Sequence, residues 1–437
     1  MIGVNSVDRC DSSEKSYTDI LNENTPPETG FLRMAAGIWK YFASILLAAL
    51  IVGFDGLGVR ADAHEQAAPS GDPILFAGIW AQSGRASDSM EGEIVGAECA
   101  VRYLNEHGGV LGRPLVLKVY DSESTEQGAR DAAETAVEDG AAVLLGAGWS
   151  MLSIPAARVA QSYGVPMISC MSTNPNLTLV GDYIFRICFT DSSQGRVLAS
   201  FARNGLHLGR AAVLRITGDE YSMYLSQSFI RGFEKLGGQV VLEMEYKEPT
   251  HITEAELGRV QEAGPDLVVV AGHDESAFIV TRLQEMGMDA VYMGGDGWDT
   301  ESFLKKGGNV IGSGYYTTHW DSALDGPLAS VFKQYCGTTA TTAALSFDAL
   351  LLAANAIERA GTADPVIMQK ALAETREFIG VTGQVDMTRR GDPQKQVVIK
   401  RIVDGVPQLV ESVLPQDDAH SPEEGMPQDA REQKSAK

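Results

Sequence analysis

Hydroxyl side chains gather at two places in this chain, and their spacing suits the capture of a small anion. The first is Gly-Ala-Gly-Trp-Ser-Met-Leu-Ser at 146–153, where Ser150 and Ser153 follow two glycines. The second is Ser-Cys-Met-Ser-Thr-Asn-Pro at 169–175, where Ser169, Ser172 and Thr173 precede an Asn174-Pro175 turn. Each belongs to a short apolar run, Ala142–Leu145 or Pro166–Ser169, with the length and flanks of a buried parallel strand. Ser150 or Ser153 is placed to cap the helix that follows, with Pro155 near its first turn. Two successive strands then deliver hydroxyls and free backbone N–H groups to their carboxyl edge. In an open α/β sheet ligands bind at that edge, and a helix N-terminus there adds partial positive charge. A carboxylate is the group such a site suits. Taken singly, each serine is better explained as a helix or turn cap; the pair of loops is what points to a ligand.

Other chemistry finds little support. Gly146-Ala-Gly148-Trp-Ser-Met151 begins like a dinucleotide fingerprint but lacks the third glycine. Gly148-Trp-Ser150-Met-Leu152 is no nucleophile elbow, because its last residue should be Gly. The 7 histidines are scattered without an HExxH pairing, and no base is signalled near Ser150. The reading is a binding protein rather than an enzyme, with no metal and no cofactor. With 35 Lys and Arg against 58 Asp and Glu, the net charge is -23. Nucleic acid needs a basic face, so it is not an expected partner. Cys10 lies in a leader, and Cys99, Cys170, Cys188 and Cys336 have no metal-like spacing. Their pairing is open, and four buried free thiols are an equal reading.

The elements that must position the hydroxyls alternate along the chain. Residues 1–33 are polar and aperiodic and read as a disordered upstream extension. Residues 34–63 hold an uncharged apolar run, Tyr41–Phe54, and then Ala61-Asp62-Ala63, the layout of a secretory signal peptide. The mature chain would begin near His64; an uncleaved membrane anchor is the alternative. Strands are expected at Ile74–Trp80, Leu115–Tyr120, Tyr183–Arg186, Ala211–Ile216, Val240–Met244, Leu267–Ala271 and Ala290–Met293. Helices are expected at Glu91–His107, Glu126–Glu138, Leu225–Leu236, Leu257–Gln261 and Phe278–Met286. In the first of these Ile94, Ala97, Val101 and Leu104 recur at helical spacing. The alternation predicts an α/β fold of two Rossmann-like lobes, with parallel sheets covered by helices on both faces. Leu345–Ala360 is a long helix closed by Gly361, and Asp364-Pro365 starts another. Val397–Val403 and Leu409–Val413 read as a hairpin through Asp404-Gly405. The segment after the two α/β units has too few strands for its own sheet and should dock onto both. The expected lobes are 72–191 with 320–390 and 192–319 with 391–414, before a disordered acidic tail at 415–437.

Several pieces recur in a familiar order. Gly84 closes an Ala-Gln-Ser-Gly loop, and Asn105–Gly112 reads Asn-Glu-His-Gly-Gly-Val-Leu-Gly. Asp121 follows the second strand, and Ser172–Leu177 reads Ser-Thr-Asn-Pro-Asn-Leu. Arg186 precedes Asp191-Ser192-Ser193-Gln194-Gly195, and Gly380–Asp386 precedes Gly391-Asp392. In this order the chain resembles the branched-chain amino acid-type substrate-binding proteins of ABC transporters, with a type I periplasmic binding fold. The resemblance implies two lobes joined by a three-segment hinge that closes on a ligand. It implies that Ser150 and Thr173 hold the ligand carboxylate, with backbone groups around Met171 and Ser172. Tyr221 would come from the second lobe, and Asp296 takes the position of the acid that pairs with an α-ammonium. From the residues themselves, Asp296 sits among Gly294, Gly295 and Gly297, where backbone and ligand approach closely, or else it merely supports the turn.

The departures are polar. Ser222 stands where relatives usually have Gly, and His273 and Asp274 where an aromatic residue is common. Arg85 replaces a frequent Pro, and Ser89 stands where a bulky contact sits. His273 is read either as a ligand contact or as a hydrogen-bonded loop residue. The resemblance implies an amino acid or related small carboxylate or amide as ligand, ABC permease subunits as partners, a periplasmic location and a monomer. The alternative is a periplasmic ligand sensor of the same fold that reports to a membrane partner.

Overall fold

A computed structural model describes residues 68–307, 311–312, 314–324 and 326–415. The expected leader, Cys10 and the acidic tail from 416 onward lie outside these residues.

Strands β1 (Ile74–Trp80), β2 (Leu115–Asp121), β3 (Val143–Gly146), β4 (Met167–Ser169) and β5 (Ile184–Arg186) form one parallel sheet in the order β2-β1-β3-β4-β5. Helices α1 (Ser87–Glu106), α2 (Glu126–Glu138) and α3 (Ser150–Tyr163) connect them. Residues of β3 are buried throughout, as a strand covered on both faces must be. Thr125 caps α2 by accepting the Gly128 N–H at 2.9 Å, and left-handed Gly164 ends α3. Pro155 lies one turn deeper in α3 than expected, so the carbonyl of Met151 lacks its helical donor.

The second half continues with α4 (Asp191–Ser200), β6 (Arg210–Ile216), α5 (Glu220–Lys235), β7 (Gln239–Tyr246), α6 (Glu254–Glu262) and β8 (Leu267–Ala271). Then come α7 (Ser276–Glu285), β9 (Val291–Gly294), α8 (Glu301–Lys305) and β10 (Gly314–Thr318). Helices α9 (Ala329–Cys336), α10 (Thr341–Ala360) and α11 (Pro365–Ala373) follow. The chain ends with β11 (Phe378–Gly380), β12 (Gly383–Met387), β13 (Pro393–Gln394), β14 (Val397–Val403) and β15 (Val406–Val413). The second sheet runs β15-β14-β10-β9-β8-β6-β7, parallel from β10 to β7, with the β14–β15 hairpin antiparallel at one edge. Along β6, Ala211 and Val213 enter one core while Ala212, Leu214 and Ile216 enter the other, which is the period-two signature of a doubly covered strand. The chain passes between the two sheets three times: after β5, after β10 and after β13.

Three expectations need correction. The late segment does form a sheet of its own, the small antiparallel β11-β12-β13, besides docking on both lobes through α10 and β14. Its tight turn is held from outside, since Asp348 of α10 accepts the N–H groups of Val381 (2.6 Å) and Thr382 (2.8 Å). Strand β10 was not expected because its buried Thr317 and Thr318 spoil the apolar run. Their hydroxyls are satisfied by Gln194 and Asp299. Cys99 of α1 and Cys336 of α9 form a disulfide, so among the described residues only Cys170 and Cys188 are buried free thiols.

Candidate functional site

Loops from both sheets converge on one cavity. The first lobe contributes Gly148, Trp149 and Ser150 after β3, Met171 and Thr173 after β4, Ser89 and Glu93 from α1, and Thr342 from α10. The second contributes Tyr221 from α5, His273 and Asp274 after β8, Asp296 and Gly297 after β9, and Thr300, the cap of α8. The space between them, about 460 Å³ with its opening to solvent included, is of the size that holds a small ligand.

On the hydroxyl side, Ser150 opens α3 but does not cap it; the cap position is Trp149, with no side-chain bond. The Ser153 hydroxyl accepts the Ala147 N–H at 2.9 Å and bonds the Ser172 hydroxyl. Ser172 in turn donates to the Gly148 carbonyl at 2.7 Å. That hydroxyl is therefore consumed behind the wall, and Ser172 does not line the cavity. Buried Arg186 organises the loop. Its Nη1 donates to the Ser172 carbonyl (2.7 Å), its Nη2 to the Asn174 carbonyl (2.8 Å), and its Nε pairs with Asp392 (2.6 Å). In a trans peptide the N–H points opposite the C=O, so the Thr173 N–H faces away from Arg186.

On the acid side, Asp296 opens a short turn, Asp296–Trp298. Its Oδ1 accepts from Gln194 Nε2 (2.9 Å) and its Oδ2 from His319 Nε2 (3.0 Å). Gln194 also donates to Asp191 Oδ1 (2.8 Å), while its Oε1 accepts from Thr317 (2.8 Å) and from the Asp296 N–H (3.3 Å). Burial holds His319 below its ordinary pKa, so the ring is neutral, with its proton on Nε2 toward Asp296. Burial, then the charge of Asp296, raises the Asp191 carboxyl well above its usual range. The same two causes in the same order raise the Tyr221 phenol, which accepts the Gly297 N–H at 3.1 Å.

His273 stacks on Trp149 at 3.9 Å between ring centres and lies 5.0 Å from the Tyr221 ring. Its Nε2 is 3.3 Å from Asp219 Oδ2. Burial pushes its pKa down, but the charge and hydrogen bond of Asp219, helped by Glu275 and Asp274, more than offset this and raise it. Asp274 lines the cavity, yet its carboxylate bonds Ser302 and Lys306; burial opposes ionisation there and those partners win, lowering its pKa. Arg85 does not line the cavity. Its guanidinium lies 4.9 Å from the Trp149 ring centre, and its Nη2 is 3.1 Å from the Met151 sulfur.

Thus Ser89, Ser150, Met171, Thr173, Tyr221, His273, Asp274 and Asp296 share one cavity, whereas Ser172 and Arg85 stand behind it. Sequence reasoning missed Glu93, Trp149, Thr300 and Thr342 at the wall, and Gln194 and His319 behind Asp296. Trp149 lay between the two residues that drew attention, and Gln194 lay inside a recognised run. Glu93 and Thr342 carry no local signal, because each is one polar residue in a long helix. The lobes touch across the cleft: Asn174 Nδ2 donates to the Glu220 carbonyl (3.0 Å), and Asn176 Nδ2 to Tyr224 Oη (2.7 Å). Among the described residues no group of three or more His, Cys, Asp or Glu is placed to hold a metal.

Residues 73–405 match a family model described as periplasmic binding protein. The Leu/Ile/Val-binding protein homolog 3 of Brucella melitensis biotype 1 is 26% identical over 306 residues, 68% of this chain and 82% of that protein. The leucine-binding protein LivK of Thermotoga maritima MSB8 is 28% identical with a TM-score of 0.75, covering 78% of this chain and 99% of its own. The branched-chain amino acid transporter substrate-binding protein LivJ of Streptococcus pneumoniae, solved with isoleucine, is 25% identical with a TM-score of 0.74, covering 79% and 100%. A solute-binding protein of R. palustris solved with benzoate shares the fold at 18% identity and a TM-score of 0.72, covering 80% and 99%.

Proposed function

The chain belongs to the periplasmic binding protein family, and on that premise we propose that it clamps one amino acid, or a closely related small carboxylate, and delivers it to an ABC transporter permease. Membership implies an extracytoplasmic location. The observation that carries the reading is Asp296, braced by Gln194 and His319, in the same cavity as the hydroxyls of Ser150 and Thr173. A zwitterion needs opposite chemistry at its two ends. Ser150, Thr173 and the N–H groups beside them suit its carboxylate; Asp296, with the Tyr221 oxygen, suits its ammonium. On this reading the ligand is held and released unchanged.

Calorimetry of the exported protein against amino acids, amides and small carboxylates tests this. Replacement by Asn in Asp296→Asn keeps the shape and removes the charge, so amino-acid affinity should fall at least about a hundredfold, roughly 2.7 kcal/mol. The free protein should also lose some stability, because a proton moved from His319 Nε2 to Nδ1 to accept the new amide would be buried there without an acceptor, so affinities are compared where both proteins are folded. Ser150→Ala and Thr173→Ala should each cost about 1–3 kcal/mol of binding. If Asp296→Asn binds as tightly as wild type, the ammonium assignment is wrong. If the best ligand carries no amino group, so is the amino-acid reading.

A further inference from the structure

The α1 wall carries a carboxylic acid that this scheme leaves unused. Glu93 is 2% exposed and lines the cavity with Ser89 and Thr342. Its Oε2 accepts from Trp80 Nε1 at 2.8 Å. Its Oε1 lies against Gly148; a Cβ there would sit 2.7 Å from it, and the φ of +71° also calls for glycine. Among the described residues Glu93 joins no ion pair. Burial pushes its pKa up to about 8, although the Trp80 bond opposes this, so the acid is neutral at pH 7. Because Oε2 serves Trp80 as an acceptor, the proton resides on Oε1. The cavity wall therefore presents an O–H donor, with two alcohol oxygens beside it. The Ser89 hydroxyl donates to the Ala86 carbonyl at 3.2 Å, which leaves its lone pairs for an incoming donor.

We propose that Glu93, Ser89 and Thr342 form a polar subsite, and that the ligand is a neutral amino acid whose side chain ends in a carboxamide or a hydroxyl, rather than leucine, isoleucine or valine. This rests on the reading of the cavity as an amino-acid site. The side-chain oxygen accepts from Glu93 Oε1–H, and the side-chain N–H or O–H donates to Thr342 or Ser89. An aliphatic side chain would bury these groups unpaired, and sites built to hydrogen-bond a polar group reject its apolar analogue strongly. The titratable groups facing Glu93 are the Cys170 thiol on its own lobe and Tyr221, His273, Asp274 and Asp296 across the cavity.

The test is calorimetry of wild type, Glu93→Gln and Glu93→Leu with asparagine, glutamine, serine, threonine, leucine, isoleucine, valine and lysine. Wild type should bind one of the neutral polar amino acids at least tenfold tighter than any aliphatic one. Raising the pH from 6.5 to 8.5 should weaken that binding about fourfold, as an acid with pKa about 8 loses its proton. Glu93→Gln keeps a donor and the Trp80 contact, so it should bind within about threefold of wild type without that extra weakening; His273 titrates in both proteins alike. Glu93→Leu should lose the polar ligand tenfold or more and narrow the preference against leucine. Tightest binding by leucine, isoleucine or valine would overturn the subsite and leave the amino-acid reading standing. Tightest binding by lysine would also overturn it, as would a Glu93→Leu protein with unaltered preference or a Glu93→Gln protein with the wild-type pH profile. If none of the eight amino acids binds, the subsite falls, and the wider screen of amino acids, amides and small carboxylates decides the amino-acid reading.

Discussion

Two buried imidazoles in the same cleft meet opposite fates. His319 has Asp296 at 3.0 Å and the weaker charge of Asp299, but burial, helped by the charge of Lys395, wins and its pKa is lowered, so it stays neutral. His273 has Asp219 at 3.3 Å with Glu275 and Asp274 nearby, and the acids win. A histidine whose pKa is raised on folding contributes stability that is present below the ordinary value of 6.5 and is lost as pH rises through the raised value. Asp219 is lowered from 3.8, against burial, chiefly by the His273 charge. Its share is present above that ordinary value and is lost as pH falls through the lowered one. Asp219→Asn keeps the helix cap, since Asn caps as well as Asp, but removes the ion pair. The variant should be less stable than wild type by about 1.5–3 kcal/mol at pH 5.5. The gap should narrow toward pH 9. Urea titrations at both pH values check this, and an equal gap at both would mean the pair is not ionised.

At the scale of elements, the cavity wall depends on how closely α1 approaches α10. A Cβ on Gly96 would lie 2.0 Å from the Ala343 carbonyl, and one on Gly92 2.1 Å from Thr342 Oγ1. The two helices thus touch backbone to backbone where α1 carries Glu93 and α10 carries Thr342. The Cys99–Cys336 disulfide ties α1 to α9 just beyond. Gly96→Ala must push the helices apart, and such overpacking costs about 1–3 kcal/mol. Ligand affinity should fall severalfold as well, because Glu93 and Thr342 move relative to one another. A urea midpoint equal to wild type would show that the helices have slack.

At the scale of the whole molecule, the crossings and the cleft are built for different fates. Lys395 Nζ donates to the Ile187 carbonyl (3.0 Å) of the first crossing and bonds the Thr382 hydroxyl near the third. Burial lowers its pKa to about 8, with the Asp348 charge opposing. Lys400 reaches Asp299 (3.5 Å) and Asp321 (3.2 Å) beside the second crossing. The cleft itself is crossed by the bonds of Asn174 and Asn176 and by the Trp149–His273 stack. A hinge motion that opens the cleft would break these contacts and keep the crossings. Small-angle scattering should show a smaller radius of gyration at saturating ligand; an unchanged profile would remove the hinge.

Much of the fold was legible because its signals are local. Apolar runs such as Leu267–Ala271 stand as strands with the bounds expected, Asp364 caps α11 where its proline announced a start, and Gly361 ends α10. Hydroxyls at the ends of β3 and β4 marked one wall of the cavity because strand ends carry that information in the residues next to them. What only the tertiary structure decided is how buried polar groups are paired. Gln194 meets Asp296 across 102 residues of chain, and Asp219 meets His273 across 54. Ser172 turns inward to Gly148 and Ser153, Thr317 and Thr318 sit in a buried strand, and Glu93 faces the cavity as a neutral acid. Each depends on a partner far away in the chain, and a buried polar group is stable only where that partner arrives. No residue's immediate neighbours encode that arrival; the packing of two sheets against their helices does.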